Sequence, residues 1–349
     1  MRMTDAPRGE RAGRGRGPRD DGAGARDRSR AWRPLAGAAL LERIRVTGRP
    51  RPATDPAFTA DLRALLESGL ADLSADAGSA DGGRLVVTKD RLTRALSCPV
   101  HRTVDRFGAR DFTLPLACGA LVDVLFRQIV TVGTVGDPMV DGLDGLGMDE
   151  HQAPLVAWIA GLAPAEFAEL RAEVDRQAHG LAERWPVLDA SWLPRTQESL
   201  RALLAGGRVE LTARVDLAVG RRAEGEASVA IVEVKSGARR PEHRDDLRFY
   251  ALVEALRSPA PPFAVASYYS RTGELDVEPV THELLAEASR RCLAGALVLA
   301  SVTSDPDDGA WCSACATMPR RAVGPVGASD GAHGAEDLPV VVFPHGRAA

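Results

Sequence analysis

The stretch RVELTARVDLAVG, residues 208–220, followed after a polar loop by AIVEVKSG, residues 230–237, constrains the fold more than any other part of the chain. Val209, Leu211, Ala213, Val215 and Leu217 alternate with Glu210, Thr212, Arg214 and Asp216, the period of a strand. Gly220 and Gly225 punctuate the loop, and residues 229–234 are rich in β-branched side chains, so the two runs read as a β-hairpin. With a turn centred near Glu224 and Gly225, Asp216 falls opposite Glu233. Residues two apart share a face, so Glu233 and Lys235 project together, and Asp216 can join them within about 5.5 Å. Two facing carboxylates repel, so a cation must hold them. Lys235 is one answer and a divalent metal the other. Hard oxygen donors suit Mg²⁺, which keeps several waters and recruits phosphate oxygens. A lysine beside such an ion can orient or deprotonate an attacking water, which describes phosphodiester hydrolysis. A solvated Glu–Lys pair on a surface hairpin is the bland alternative. Ile231, Val232 and Val234 argue for a central strand, where charge is costly unless it has a use.

Lysine is itself informative here. The chain of 349 residues holds 44 Lys plus Arg, yet only Lys89 and Lys235 are lysines. Arginine is a planar, permanently charged fork, whereas lysine is a compact point charge that can lose its proton. The net charge of -4 excludes a generally basic coat, so any polyanion contact must come from a local patch. Hydrophobic residues make up 45% of the chain but aromatics only 5%, which predicts an aliphatic core.

Residues 1–36 carry ten Arg against five acidic residues and almost no aliphatics, the composition of a disordered tail. Residues 37–84 read as a helical N-terminal extension, with a helix over 56–73 capped by Asp55 or Thr59. A short extended piece precedes a helix starting near Thr88, and LPLACGALVDVLFRQIV (114–130) reads as a buried helix. Residues 150–185 carry two amphipathic helices, the second starting near Pro164. RTQESLRALLAGG leads into the hairpin, with Glu198 read as a helix cap or surface residue. HRDDLRFYALVEALRS is a helix, FAVASYYSR a strand and THELLAEASRRCLAGALVLAS a last helix. Residues 319–349 are loose.

The motifs RVDLAVG, IVEVKSG and HRDDLRFYAL together resemble the PD-(D/E)XK nuclease superfamily, and within it the RecB-like branch that includes AddB-type exonucleases. The resemblance spans about 195–318 and, more faintly, 88–130. It implies an α/β, restriction-endonuclease-like fold, a mixed central sheet flanked by helices, over residues 85–318 with a helical insertion at about 135–195. It implies Asp216 and Glu233 as metal ligands, the Val234 carbonyl as a further ligand and Lys235 as the catalytic lysine, with Mg²⁺ or Mn²⁺ as the ion. The family's upstream Gly-x-x-x-His helix is matched by Gly119 and Asp123, which makes Asp123 the candidate for a further metal ligand. An ordinary helical Asp is the alternative. The following helix usually carries Gln-x-x-x-Tyr; Tyr250 fits, but Asp246 stands where Gln is expected. Arg239, Arg240, Arg244, Arg248 and Tyr250 are the candidates for nucleic-acid contacts, with a solvated face or a core aromatic as the alternatives.

RecB-like nucleases often carry an iron–sulfur cluster on one upstream and three C-terminal cysteines. Cys98, Cys312 and Cys315 match three of those places, and the last, near Arg321, is absent. The set reads as a degenerate cluster, as a Zn²⁺ site completed by His101, or as no metal site at all. Four-cysteine ligation would need Cys118 or Cys292, both in apolar helix patterns where a buried structural Cys is the default. An odd cysteine number and no leader-like apolar segment predict a reducing, cytoplasmic setting and no membrane. No P-loop motif is present, so a helicase would be a separate chain. The expected function is a metal-dependent nuclease, acting on DNA in repair, recombination or defence. The alternative is a nuclease fold kept as a nucleic-acid-binding or scaffold protein.

Overall fold

A computed structural model describes residues 37–46, 48–50, 56–73, 84–97, 112–221, 227–258 and 260–300. The expected tails, Cys98, His101, Cys312 and Cys315 lie outside these residues. In chain order the elements are α1 (Gly37–Ile44), α2 (Pro56–Gly69), β1 (Leu85–Val87), α3 (Lys89–Ser97), α4 (Leu114–Val132), α5 (Pro138–Gly147), α6 (Ala153–Ala160), α7 (Pro164–Arg184), β2 (Arg195–Leu204), β3 (Val209–Val219), β4 (Ala230–Lys235), α8 (Glu242–Arg257), β5 (Ala264–Tyr269), β6 (Glu274–Pro279) and α9 (His282–Ala300).

One six-stranded mixed sheet runs β1-β3-β4-β5-β6, with β2 paired to the other edge of β3. Pairs β1–β3 and β4–β5 are parallel; β2–β3, β3–β4 and β5–β6 are antiparallel. β4 is therefore central, and its residues Ala230, Ile231 and Val232 are buried. Helices cover both faces. One core joins α2, α3, α8 and α9 to Leu211, Val215, Ile231 and Val265. The other joins α1 and α4–α7 to Leu217, Val232, Ala266 and Tyr268. This is the α/β, restriction-endonuclease-like architecture that the motifs imply.

Two strands differ from the sequence reading. RTQESLRALL forms β2 and pairs with β3 from Arg195↔Ala218 to Leu204↔Val209. Its helix-like apolar spacing is overridden because Leu200, Ala202 and Leu204 alternate inward while Ser199, Arg201 and Leu203 face solvent. Glu198 is thus a strand residue, ion-paired to Arg195 at 2.9 Å and Arg257 at 2.5 Å, and not a helix cap. β6 (ELDVEP) is half-exposed at the sheet edge, where a short polar strand is tolerated.

The strand β3 serves three neighbours. It pairs with β1 only as far as Leu211↔Val87 and with β4 only from Leu217↔Val232. Gly220 ends it at φ 92°, and a Cβ there would lie 2.0 Å from Val46. Helix α4 begins at the Thr113 cap, whose hydroxyl accepts from the Leu116 amide, and closes on Gly133 at φ 83°. It is long and apolar enough to cross a membrane by length and composition. Nine of its residues are buried in the fold, and it carries Asp123 and Arg127.

Leu217 has no exposed surface and sits where β3 meets β4. Leu217→Ala is expected to cost about 2–5 kcal/mol by leaving a cavity. A urea titration should show a lower midpoint at unchanged slope.

Candidate active site

The β3–β4 ladder keeps the index sum of the hairpin, but it stops at Leu217↔Val232. The next pair would be Asp216 and Glu233. There the Asp216 carboxylate accepts the Val234 N–H at 2.7 Å in place of a strand carbonyl. A paired residue directs its N–H and C=O to the same neighbour, so the Val234 carbonyl turns toward the same opening. On β2, at the register position of Asp216, Gln197 holds a left-handed backbone at φ 54°. Such strain in a non-glycine residue costs about 1–3 kcal/mol and concentrates at functional sites. Here it accompanies a Gln197 amide that donates to both Asp123 oxygens, at 3.0 and 3.3 Å.

Asp123 reaches the site from α4. Gly119, one turn earlier on the same helix face, lets the helix come against the end of β4: a Cβ there would lie 3.2 Å from Ser236 Oγ. Arg127 pairs with Asp123 at 3.3 Å. Burial raises the Asp123 carboxyl, Arg127 opposes, and Glu233 raises it further. Burial first, then the Glu233 and Asp123 carboxylates, pushes Asp216 well above the ordinary range.

Glu233 is 4% exposed on the central strand, and its two oxygens live differently. Oε1 accepts from Lys89 Nζ at 2.5 Å, Lys235 Nζ at 3.2 Å and the Tyr250 hydroxyl at 3.2 Å. Oε2 is buried with no hydrogen-bond partner. Burial would raise this carboxyl, but Lys89 and then Lys235 outweigh it and hold it down at about 2. Lys235 Nζ also donates to Asp246 Oδ2 at 3.1 Å. Burial would lower Lys235, and Lys89 acts with it; Glu233 and Asp246 outweigh both and raise it. The Lys235 backbone is fixed as well, since the Ser270 N–H donates to its carbonyl at 3.0 Å. The neighbouring Ser236 carbonyl accepts from Gln177 of α7 at 3.2 Å.

The structure therefore brings together Asp123, Asp216, Glu233, Val234 and Lys235. The sequence reading missed Lys89 and Gln197, and took Asp246 only as a departure from a pattern. The signal for Lys89 was in the composition: it is the other lysine of an arginine-rich chain. Two of the expected nucleic-acid contacts need correction. Tyr250 is 1% exposed and serves Glu233, so its ring is not a surface platform. Arg248 is held by Glu278 at 2.8 Å and Glu287 at 3.2 Å, because α8 faces the acidic edge of β6 and α9. Arg239 is exposed and paired with Asp276. Arg240 and Arg244 are exposed. Cys118 and Cys292 are free and buried, each raised to about 12, burial being the main cause. They lie in the two different cores, so they cannot join one cluster.

Among the described residues, no group of three His, Cys, Asp or Glu side chains stands in a metal-holding arrangement. The residues around the β3–β4 opening nonetheless fit a divalent ion in kind. They are hard oxygen donors, with one glutamate oxygen left unpartnered and an aspartate that burial and two neighbouring carboxylates push well above the ordinary range. The sequence model of the PD-(D/E)XK nuclease superfamily matches residues 90–320. The chain belongs to that superfamily. Membership in the PD-(D/E)XK superfamily supports phosphodiester hydrolysis as its chemistry. A comparison with curated proteins gave no match. Among solved structures, one named "Putative exonuclease", from Eubacterium rectale, is similar at 12% identity and a TM-score of 0.40, covering 74% of this chain and 95% of that one.

Beside the site, His243 lies 3.2 Å from the Tyr269 hydroxyl. Burial, then the Lys235 and Arg240 charges, lowers its imidazole to about 4. Its folded value is below the ordinary one of about 6.5, so the unfolded chain binds the extra proton first. Its contribution to stability is fully present above pH 6.5 and is lost as pH falls toward 4. His243→Gln should flatten the decline of melting temperature across that window, as read by circular dichroism.

Proposed function

We propose that the chain is a Mg²⁺- or Mn²⁺-dependent nuclease acting on DNA, with its centre at the opening between β3 and β4. One observation carries the reading: the division of Glu233 into an oxygen shared by two ammonium groups and a hydroxyl, and a buried oxygen with no partner. Asp216, Glu233 and the Val234 carbonyl, with Asp123, would hold the ion. Once bound, such an ion lowers the pKa of a coordinated water and neutralises charge growing on the phosphoryl oxygens. Lys235 orients the attacking water and donates to the charged phosphate. Gln197 and Arg127 keep the Asp123 carboxylate aimed at Asp216. The exposed Arg240 and Arg244 follow β4 directly and are placed for backbone phosphates, a sequence-independent and salt-sensitive contact.

DNA as substrate, the RecB-like subtype and a role in repair, recombination or defence rest on motif resemblance. If the chain processes long DNA, the helicase is a separate subunit, since the chain carries no P-loop motif. The rival reading is a fold kept for binding, with cleavage lost. It is favoured by the grip of two lysines on Glu233 and the absence of a ready metal cage among the described residues.

A gel assay with single- and double-stranded DNA and RNA, in Mg²⁺, Mn²⁺ or EDTA, separates these readings. Cleavage should require the metal. Glu233→Ala and Lys235→Ala should each lower it roughly 10²–10⁴-fold. Cleavage that survives both substitutions would place the chemistry elsewhere. Salt-dependent binding with no cleavage in any metal would leave the scaffold reading.

A further inference from the structure

Both lysines of the chain meet at Glu233, yet phosphodiester hydrolysis as described uses only Lys235. Lys89 arrives by a direct route. β1 ends at Val87, opposite Leu211, and α3 begins at Lys89, so the helix starts beside the unpaired stretch of β3. Lys89 Nζ lies 2.5 Å from Glu233 Oε1, 3.9 Å from Asp246 Oδ2 and 5.1 Å from the centre of the Tyr250 ring. Its side chain is 23% exposed and that of Lys235 14%.

Charge balance gives this placement a consequence. Lys235 alone would face two carboxylates, Glu233 at 3.2 Å and Asp246 at 3.1 Å. Such an ammonium is held strongly in a water-poor setting. Lys89 makes the group two cations against two anions, and it repels Lys235. We propose that Lys89 is a positioning residue, the standing counter-ion of Glu233 and Asp246, which leaves the Lys235 ammonium free to detach toward a phosphate. The phosphate rests on the nuclease reading above; the release of Lys235 does not. A Lys89 that merely braced the fold would stabilise the protein without changing how Lys235 is held.

The lysine count makes a direct test practical. Full-length protein grown with ¹⁵N-lysine has two side-chain ammonium signals, and each single-lysine variant assigns them. The readout is exchange of the Lys235 ammonium protons with water, measured without metal or nucleic acid. In Lys89→Met, Lys235 exchange should slow about tenfold against the wild type, because two acids then share one ammonium. Lys89→Arg should retain wild-type exchange. Asp246→Asn should speed it, and Lys89→Met/Asp246→Asn should return it toward wild type, closing a double-mutant cycle. If Lys89→Met does not fold, the contrast between Asp246→Asn and the double variant decides. Equal Lys235 exchange with and without Lys89 in either pair overturns the proposal. The cycle is read on uncatalysed protein, so wild type that fails to cleave DNA would sink the nuclease reading and leave this result standing.

Discussion

The Asp216 carboxylate on the Val234 N–H is the contact that organises the rest. A side-chain oxygen there replaces a backbone carbonyl, so the two strands part without stranding a buried amide. The parting leaves a strip of β3 unpaired on that edge, between its pairing with β1 and its pairing with β4. Into that strip converge an acid from α4, a lysine from the start of α3 and the charged end of the central strand. Without the opening, Glu233 would be a buried charge on a fully paired strand, which the fold could not support.

The charged cluster is costly in its own right. Removing one partner of a buried ion pair typically costs about 3–5 kcal/mol, and apolar replacements are often no less stable. Two intact aliphatic cores, one on each face of the sheet, supply the stability against which such a cluster can be kept. The backbone around it is held from several sides. Ser270 and Gln177 fix the end of β4, and Gly119 lets α4 close against Ser236. A rigid frame and a crowded set of like charges are what a site needs if its groups are to respond to a ligand rather than to each other.

The hairpin was legible because its signal is local. A Gly-bearing loop and a constant index sum fix which residues face one another, and Asp216 and Glu233 follow. The period-two alternation itself breaks at Asp216, since Val215 and Leu217 pack in cores on opposite faces. Gly119 and Asp123 were legible from helical spacing together with motif resemblance. Lys89 was not, since 144 residues separate it from Glu233 and only the three-dimensional packing of α3 against α8 and α9 closes that distance. Gln197 was hidden twice: its strand has helix-like apolar spacing, and its left-handed backbone has no sequence marker. Tyr250 and Arg248 misled because they share a helix with the exposed Arg244. One face of α8 is core and another meets Glu278 and Glu287. Chain proximity to the lysine said nothing about which way each side chain would turn.

The confinement of lysine to one cluster has an effect outside catalysis. A protease that cuts only after lysine finds two bonds in the entire chain, and both belong to residues locked into ion pairs beside the central sheet. The many arginines of the chain offer it nothing. Digestion by such an enzyme would therefore report the opening of the charged cluster around Glu233, and the rest of the polypeptide would be invisible to it.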